Sequence, residues 1–170
     1  GSDDPILDQL GESIDGSEHA ILGFVAAFGS VEITNLSVAG FGGFGAILYG
    51  VDGSWTGGEV SDCVGVSVLA EKSTLDIESV VVRDGLAGRK IGFAMLSMGL
   101  IVADQSVVNT QSVSIENMRD ISLLQSGSDV SHAALSVTGA GWYGLVAIPG
   151  ADSQGSLTVS ASSKVQSARG

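Results

Sequence analysis

The chain is poor in cysteine, proline and basic residues, and these shortages exclude several classes of protein. With one cysteine among 170 residues, neither an intramolecular disulfide nor a cysteine-based metal cluster can form, and we predict that Cys63 is a buried, inert thiol. Seven Lys and Arg against 19 Asp and Glu give a net charge of −12, which repels phosphate backbones and anionic membrane surfaces. No apolar run approaches the roughly 18 residues of a membrane helix. We therefore predict neither nucleic-acid binding nor membrane insertion.

Small and apolar residues are abundant instead. Hydrophobic residues make up 44% of the chain, the mean hydropathy is +0.39, and there are 25 glycines against 2 prolines. Such apolar content excludes disorder. Many Val, Ile and Leu residues together with glycine are typical of β-structure with tight turns.

Two kinds of segment alternate along the chain. The first is a strand of alternating polar and apolar residues, which begins near residues 31, 54, 74, 100, 129 and 156. The second is a short apolar run, seen at residues 20–22, 45–48, 65–69, 91–96, 121–124 and 143–148. Turns rich in Gly, Asp or Asn connect them. Equivalent positions recur roughly every 20 to 30 residues, which is the range of solenoid repeats.

This repetition predicts an all-β fold, a right-handed parallel β-helix of about six coils with roughly 20–30 residues each. A βαβ arrangement needs a helical crossover that no segment offers. An antiparallel β-sandwich is the alternative, although the unchanging order of the two segments argues against it. We assign residues 14–165 to one β-helix domain, residues 1–13 to a tag and a flexible or capping N-terminus, and residues 166–170 to a tail. Within residues 3–29, we favour residues 16–29 as the second half of a first coil over a capping helix that starts near Pro5.

The alternating strands and Gly-rich corners resemble the pectin-lyase-like family of right-handed parallel β-helices. They are most similar to the Gly-rich β-helical surface proteins and lipoproteins of bacteria. The resemblance implies an extracellular or cell-surface location, with the export signal missing before Gly1-Ser2, which look like a cloning remnant. It also implies that enzymes of this kind act on acidic polysaccharides, with calcium-binding aspartates and a basic residue, or with paired aspartates.

Three carboxylates are candidate calcium ligands. Asp76 and Glu78 lie two residues apart on one strand and share a face, and Glu32 is expected one or two coils below them. The alternative is a solvated polar face that keeps the solenoid soluble. Arg83, Arg89 and Lys90 are candidates for holding an anionic sugar, and the alternative for them is a long corner that carries solvated charges.

Two adjacent aromatic residues, Trp142 and Tyr143, are candidates for stacking on a sugar ring. Because neighbours in a strand point to opposite sides, we expect at most one of them to face outward, and packing in the core or a corner is the alternative. Tyr49 and Trp55 are considered in the same way. His19 and His132 lie about four coils apart, too far for a shared metal site or a triad.

The sequence contains no recognisable catalytic constellation, and no cofactor is predicted apart from the calcium candidate. We therefore predict a non-enzymatic structural, adhesive or interaction module of an exported bacterial-type surface protein, or a fragment of a longer β-helix. Its expected partners are proteins or glycans at the cell surface, and end-to-end self-association is expected because the strand edges of a β-helix end are unpaired. The alternative is a carbohydrate-binding or polysaccharide-degrading β-helix, lyase-like or hydrolase-like.

Overall fold

A computed structural model describes residues 22–86, 96–151 and 153–167, which form fourteen strands and no helix. None of the described residues therefore forms a helix that is long and apolar enough to span a membrane. In chain order the strands are β1 (Leu22–Ala39), β2 (Phe44–Ser61), β3 (Val66–Glu71), β4 (Thr74–Glu78), β5 (Val81–Arg83), β6 (Met98–Ala103), β7 (Val107–Gln111), β8 (Ser114–Glu116), β9 (Ile121–Ser126), β10 (Asp129–Ala133), β11 (Ser136–Ala140), β12 (Tyr143–Ile148), β13 (Ser156–Val159) and β14 (Lys164–Ser167).

The strands stack into three parallel faces, and each coil of the chain visits the faces in the same order. Face 1 contains residues 22–27 and 44–49 with β3, β6, β9 and β12. Face 2 contains residues 30–34 and 52–56 with β4, β7, β10 and β13. Face 3 contains residues 37–39 and 59–61 with β5, β8, β11 and β14. Every strand pair is parallel, so the predicted parallel β-helix of six coils is confirmed and the antiparallel sandwich is wrong.

The number of residues in one ordinary coil equals the sequence separation of two residues that are neighbours in a column of the stack. Thr110 and His132 are paired across adjacent coils and are separated by |i−j| = 22 in the sequence. Phe44 and Val66 have the same separation on face 1. The path from coil 3 to coil 4 is longer, since Asp76 and Asn109 are separated by |i−j| = 33, which exceeds the predicted repeat. We number the coils 22–43, 44–65, 66–97, 98–120, 121–142 and 143–167.

Left-handed backbone marks all three corners of the coil. At each corner of coils 1 to 5 a residue has φ near +50° to +76°, and the first corner of coil 4 has two, since Asp104 (+49°) precedes Gln105. A left-handed residue costs little for Gly, and Asn and Asp tolerate the conformation better than other residues with a Cβ. Many of these positions are nevertheless not Gly. They are Phe28, Gly50, Lys72, Gln105 and Gly127 at the first corner, Asn35, Gly57, Ser79, Ser112 and Ala134 at the second, and Gly40, Asp62, Asp84, Asn117 and Gly139 at the third.

The strand predicted to begin near residue 100 is misplaced. Leu100 pairs with Val68 and Leu123 on face 1, and the face 2 strand of that coil begins at Val107. Only a short corner separates the two strands, so their apolar residues look like one continuous strand in the sequence. The apolar run at 91–96 lies outside the described residues except for Leu96, as do residues 1–13 and the proposed capping helix. At the other end β14 extends to Ser167, past the predicted domain end at 165.

The core is formed by alternate side chains of the strands, which stack in columns from coil to coil. On face 2 one such column contains Ile33, Trp55, Ile77, Thr110 and His132. Trp55 is fully buried, and its indole nitrogen donates to the Gly57 carbonyl at 2.9 Å. Because each inward side chain packs against the coils above and below, the core exists only as a stack.

A buried serine ladder connects faces 1 and 2 across the coils. Ser73, Ser106 and Ser128 occupy equivalent positions, and each hydroxyl oxygen accepts the backbone N–H of the residue one coil earlier at 3.2 Å. Each hydroxyl also donates to a carbonyl of its own coil, that of Glu71, Ala103 or Ser126. Since every hydroxyl has both a donor and an acceptor role, burial of these polar groups is compensated.

Candidate functional site

The three candidate calcium ligands occupy face 2 but do not converge. Glu32, Ser54 and Asp76 are consecutive members of one outer column, so Glu32 lies two coils, about 9.6 Å, from Asp76. Glu78 belongs to the next outer column of the same face. In the part of the chain that the structure describes, no three acidic, His or Cys side chains are grouped so that they could hold a metal ion.

Asp76 is part of a polar ladder on the outside of face 2. The Asn109 amide donates to the Asp76 carboxylate at 2.9 Å, and the Ser131 hydroxyl donates to the Asn109 carbonyl oxygen at 2.6 Å. At the start of β10, the Ser156 hydroxyl donates to the Asp129 carboxylate at 2.7 Å. The outer side chains of face 2 thus bond with their neighbours along the stack.

The Arg83 guanidinium is held by two carboxylates. It contacts Glu59 at 2.8 Å and Asp84 at 2.7 Å, and Asp84 also accepts from Asn117 at 2.9 Å. The hydrogen bond from Arg83 lowers the pKa of Glu59, and the hydrogen bond to Glu59 raises the pKa of Arg83. One positive and two negative groups leave this corner acidic, which disfavours an anionic sugar. Arg89 and Lys90, the other two predicted members of this site, lie outside the described residues.

Trp142 and Tyr143 are both exposed, at 67% and 58%, so the expectation that at most one would face outward is wrong. The alternation rule does not apply to the pair because Trp142 lies in the corner and the strand begins only at Tyr143. The backbone N–H groups of both residues donate to the Asp120 carbonyl. The two rings are therefore adjacent exposed aromatic side chains where coil 5 ends and coil 6 begins.

The other two aromatic candidates, Trp55 and Tyr49, contact other residues of the protein. Trp55 belongs to the core, and Tyr49 packs edge to face against Phe28 with ring centroids 5.2 Å apart. The Lys72 ammonium donates to the Tyr49 hydroxyl at 2.9 Å, which raises the pKa of Lys72.

Two reactive side chains are buried. Cys63 is fully buried, as predicted, and desolvation raises the pKa of its thiol. His132 lies in the core, where its Nδ1 is 2.6 Å from the Thr110 hydroxyl and its Nε2 has no hydrogen-bond partner among the described residues. Burial lowers the pKa of His132 to about 4, so the ring is neutral at pH 7. His19, the other histidine, lies outside the described residues.

Two columns on the outer side of face 1 are apolar along the whole stack, a feature that the sequence predictions missed, whereas the next column of this face contains Glu71 and Ser126. Two equivalent positions of each coil lie outside the core cluster, and all twelve residues are apolar. Three of these residues, Val66, Ile101 and Ile121, are themselves buried, at no more than 9% exposed, although they are not members of the connected core cluster. We call this surface the apolar strip; its columns are Leu22, Phe44, Val66, Met98, Ile121 and Tyr143, and Val25, Ile47, Leu69, Ile101, Leu124 and Val146.

The two ends of the core differ in exposure. In coil 1 the inward Ile33 and Val38 are 7% and 6% exposed, whereas the equivalent Val159 and Val165 of coil 6 are 41% and 50% exposed. A cavity of about 440 Å³ opens beside coil 6, lined by Gln125, Ala147, Ile148, Pro149, Gln154, Gly155 and Leu157. The Gln125 amide nitrogen donates to the carbonyls of Ser128 and Ser156, but its buried Oε1 has no partner among the described residues.

Comparison with protein-family models, curated proteins and solved structures finds no match for this chain.

Proposed function

We propose that this chain is a non-enzymatic structural and interaction module of an exported surface protein, in which a stiff β-helix presents a long apolar surface. The apolar strip is the observation that carries this proposal. Its six coils, at about 4.8 Å per coil, make it about 24 Å long, and it is about 10 Å wide between its two columns. Exposed apolar patches commonly mark sites of interaction, and nine of the twelve positions of the strip are partly or largely exposed.

The chemistry of the strip indicates the kind of partner. Its twelve positions carry no charge, although the whole chain has a net charge of −12. A partner for this surface presents uncharged aliphatic or aromatic side chains, since a charged group placed against it would lose its hydration without compensation. The proposed surface location follows the resemblance to bacterial β-helical surface proteins.

The accessibility of the strip is tested with one lysine on each of two faces. Leu69→Lys places a charge in the strip, and Thr74→Lys places the same charge on the outside of face 2 in the same coil. We expect Leu69→Lys to shorten retention on a hydrophobic-interaction column markedly, while Thr74→Lys has little effect. Equal retention of the two variants, both checked for folding by thermal unfolding, would contradict a role for the strip in binding.

A carbohydrate-binding β-helix is the second candidate, and the exposed Trp142 and Tyr143 favour it. Aromatic rings that are free on one side can stack on the apolar face of a sugar. A panel of neutral and acidic polysaccharides, tested with and without calcium, separates the two candidates. Binding that is lost in Trp142→Ala, or release of unsaturated products, supports the carbohydrate candidate, and no response from the whole panel supports the interaction module.

A further inference from the structure

We propose that a polar pocket at the first corner of coils 4, 5 and 6 binds a small organic cation that carries hydroxyl groups, the chemistry of an amino sugar unit. We call it the corner pocket; it is lined by Gln105, Ser106, Gly127, Asp129, Ser153 and Gly155. Its volume of about 330 Å³ lies at the lower end of the roughly 300–1,000 Å³ range of small-molecule sites. The proposal goes beyond the proposed function and is independent of the apolar strip.

Two departures from the regular 22-residue coil meet at this pocket. Coil 4 has one additional residue in its first corner, where Gln105 lies. Coil 6 has five additional residues in the same corner, since the separation of paired residues in coils 5 and 6 increases from 22 before the corner to 27 after it. Ser153 and Gly155 belong to this inserted segment, so both departures supply walls of the pocket. Loops on a rigid scaffold commonly carry binding sites.

Hydrogen bonds to coil 5 fix both walls of the corner pocket. The Ser153 hydroxyl donates to the Gly127 carbonyl, and the Gly150 N–H donates to the Ser153 carbonyl at 2.8 Å. On the coil 4 side, the Gln105 N–H donates to the same Gly127 carbonyl at 3.1 Å. Asp104 and Gln105, with φ of +49° and +61°, are the only consecutive residues other than Gly with left-handed backbone in the described part of the chain. Such backbone conformations cluster at functional sites.

The lining of the corner pocket is polar throughout. None of its six residues has an apolar side chain, so a ligand that fits it is polar over its whole surface. One oxygen of the exposed Asp129 carboxylate accepts from the Ser156 hydroxyl at 2.7 Å, and the other has no partner among the described residues. The side-chain amide of Gln105 is exposed and also unpaired among them. The pocket therefore offers a carboxylate to a cation and an amide to hydroxyl groups.

The charged groups around the corner pocket favour a cation over an anion. Asp104 precedes Gln105 and is exposed, and Asp152 of the inserted segment lies outside the described residues. Lys72 has the equivalent position in coil 3, but its ammonium is directed to coil 2, where it donates to the Tyr49 hydroxyl at 2.9 Å. An anionic ligand would therefore be repelled. One carboxylate among the described lining residues matches an ammonium group, whereas Ca²⁺ takes about 6–8 oxygen ligands.

The first test is a titration of the full 170-residue protein with glucosamine, in which the NMR signals of the Gln105 side-chain amide and the Gly127 N–H are measured. We expect saturable shifts of both signals. N-acetylglucosamine, which has the same ring without the positive charge, should bind at least ~10-fold more weakly, because a hydrogen bond between charged groups is missing. Ethanolamine, an ammonium ion with one hydroxyl group, should also bind more weakly than glucosamine.

Several results of these titrations would overturn the proposal. No saturable shift with glucosamine would mean that the corner pocket does not bind such a ligand. Equal binding of N-acetylglucosamine would mean that the charge is not recognised, and equal binding of ethanolamine would mean that the sugar hydroxyl groups are not. Calcium chloride that shifts the same signals at lower concentration than glucosamine would assign the pocket to a metal ion instead.

Asp129→Asn tests the position of the cation. The variant keeps an oxygen that accepts from Ser156 but removes the charge, so it should fold and should weaken glucosamine binding at least ~10-fold. Asp52→Asn is the matched control, since Asp52 is exposed in the same outer column of face 2, three coils away. It should leave binding unchanged. An equal loss in both variants would assign the effect to the overall charge of the chain and overturn the proposal.

Gln105→Ala is a second variant, which keeps the carboxylate of the corner pocket and removes the amide. We expect weaker binding of glucosamine and unchanged binding of ethanolamine, because only the sugar needs the amide. Glucosamine binding that is unchanged in Gln105→Ala would overturn the proposal. This comparison decides the question even if Asp129→Asn fails to fold.

Discussion

Faces 1 and 2 enclose the same core from two sides, yet their outer side chains differ in chemistry. Inward positions of both faces are mostly apolar and stack from coil to coil. Outward, face 2 carries Asp76, Asn109 and Ser131 in a hydrogen-bonded ladder, whereas face 1 carries the apolar strip. The inward apolar residues form the core that the fold needs. The outward residues are not needed for the core, so their difference between faces 1 and 2 is the part of the sequence that can reflect function. Substitutions at inward and outward positions of the two faces test this separation.

Truncation of an inward residue of face 2 should have the largest effect on stability. Trp55→Ala removes a fully buried ring from the core column between Ile33 and Ile77 and should cost about 3–5 kcal/mol in the free energy of unfolding. Thr56→Ala, one residue along and exposed, should change it by less than ~0.5 kcal/mol. Urea unfolding of the two variants measures the contrast. Similar losses in both would show that the inner and outer positions of this face do not differ as described.

Low pH should decrease the free energy of unfolding because of His132 in the core of face 2. Its pKa is about 4 in the folded chain against an ordinary value of 6.5, so the unfolded chain binds the proton first as the pH falls. The contribution of a neutral His132 is therefore complete above pH 6.5 and is lost between pH 6.5 and about 4, with a total of up to ~3 kcal/mol. His132→Val matches the Val159 of the same column and removes the titration.

The measurement for His132 is the free energy of unfolding of both chains across this pH range. The wild-type curve should fall relative to the His132→Val curve as the pH decreases. Parallel curves would mean that His132 titrates normally in the folded chain.

A larger side chain on the inner side of face 1 should decrease the free energy of unfolding. A Cβ at Gly45 would lie 2.5 Å from a Val60 methyl and 2.8 Å from the Cys63 sulfur, so Gly45→Ala should cost about 1–3 kcal/mol. Ser54→Ala on the outside of face 2 is the control and should have an effect below ~0.5 kcal/mol. Thermal unfolding is adequate for both. No loss in Gly45→Ala would mean that face 1 can move outward from the core.

The ladder on the outside of face 2 should have the smallest effect. Asn109→Ala removes the amide between Asp76 and Ser131, and because these groups are exposed the loss should be about 0.5 kcal/mol. A double-mutant cycle with Ser131→Ala measures the coupling within the ladder. A loss well above the ~0.5–1.5 kcal/mol of an ordinary hydrogen bond would indicate that the ladder, and not the core, holds the coils together.

The fold could be predicted from the sequence where one face of a strand is solvated. Thr74–Glu78 alternates between exposed and buried residues, and such strands reveal both their period and their inward side. Face 1 strands such as Val66–Glu71 carry apolar residues on both sides, so their sequence does not distinguish the core from the apolar strip. The short apolar segments of the sequence did contain evidence for the apolar strip. A strand with apolar residues on both sides is expected to contact apolar groups on both sides, and the core accounts for only one of them.

The register between coils was harder to predict because of the corners. Their left-handed positions are filled by residues such as Lys72, Ser79 and Ala134 as well as by Gly, so glycine does not recur with the period of the coil. The surface position of the three carboxylates and of Arg83 could be predicted from the sequence, but their distances and pairing could not, because these depend on which coils are neighbours. Exposure of both Trp142 and Tyr143 depended on where the corner ends and the strand begins.

The corners also determine how the length of this molecule can change. Coil 3 carries additional chain between β5 and β6, and coil 4 has one additional residue between β6 and β7, yet the strands after each return to the same columns. An insertion in a corner therefore leaves the length of the stack unchanged, whereas a whole duplicated coil lengthens it by one step of about 4.8 Å. The length of such a molecule can therefore change only in steps of whole coils. Insertions at the corners change its surface and leave its length the same.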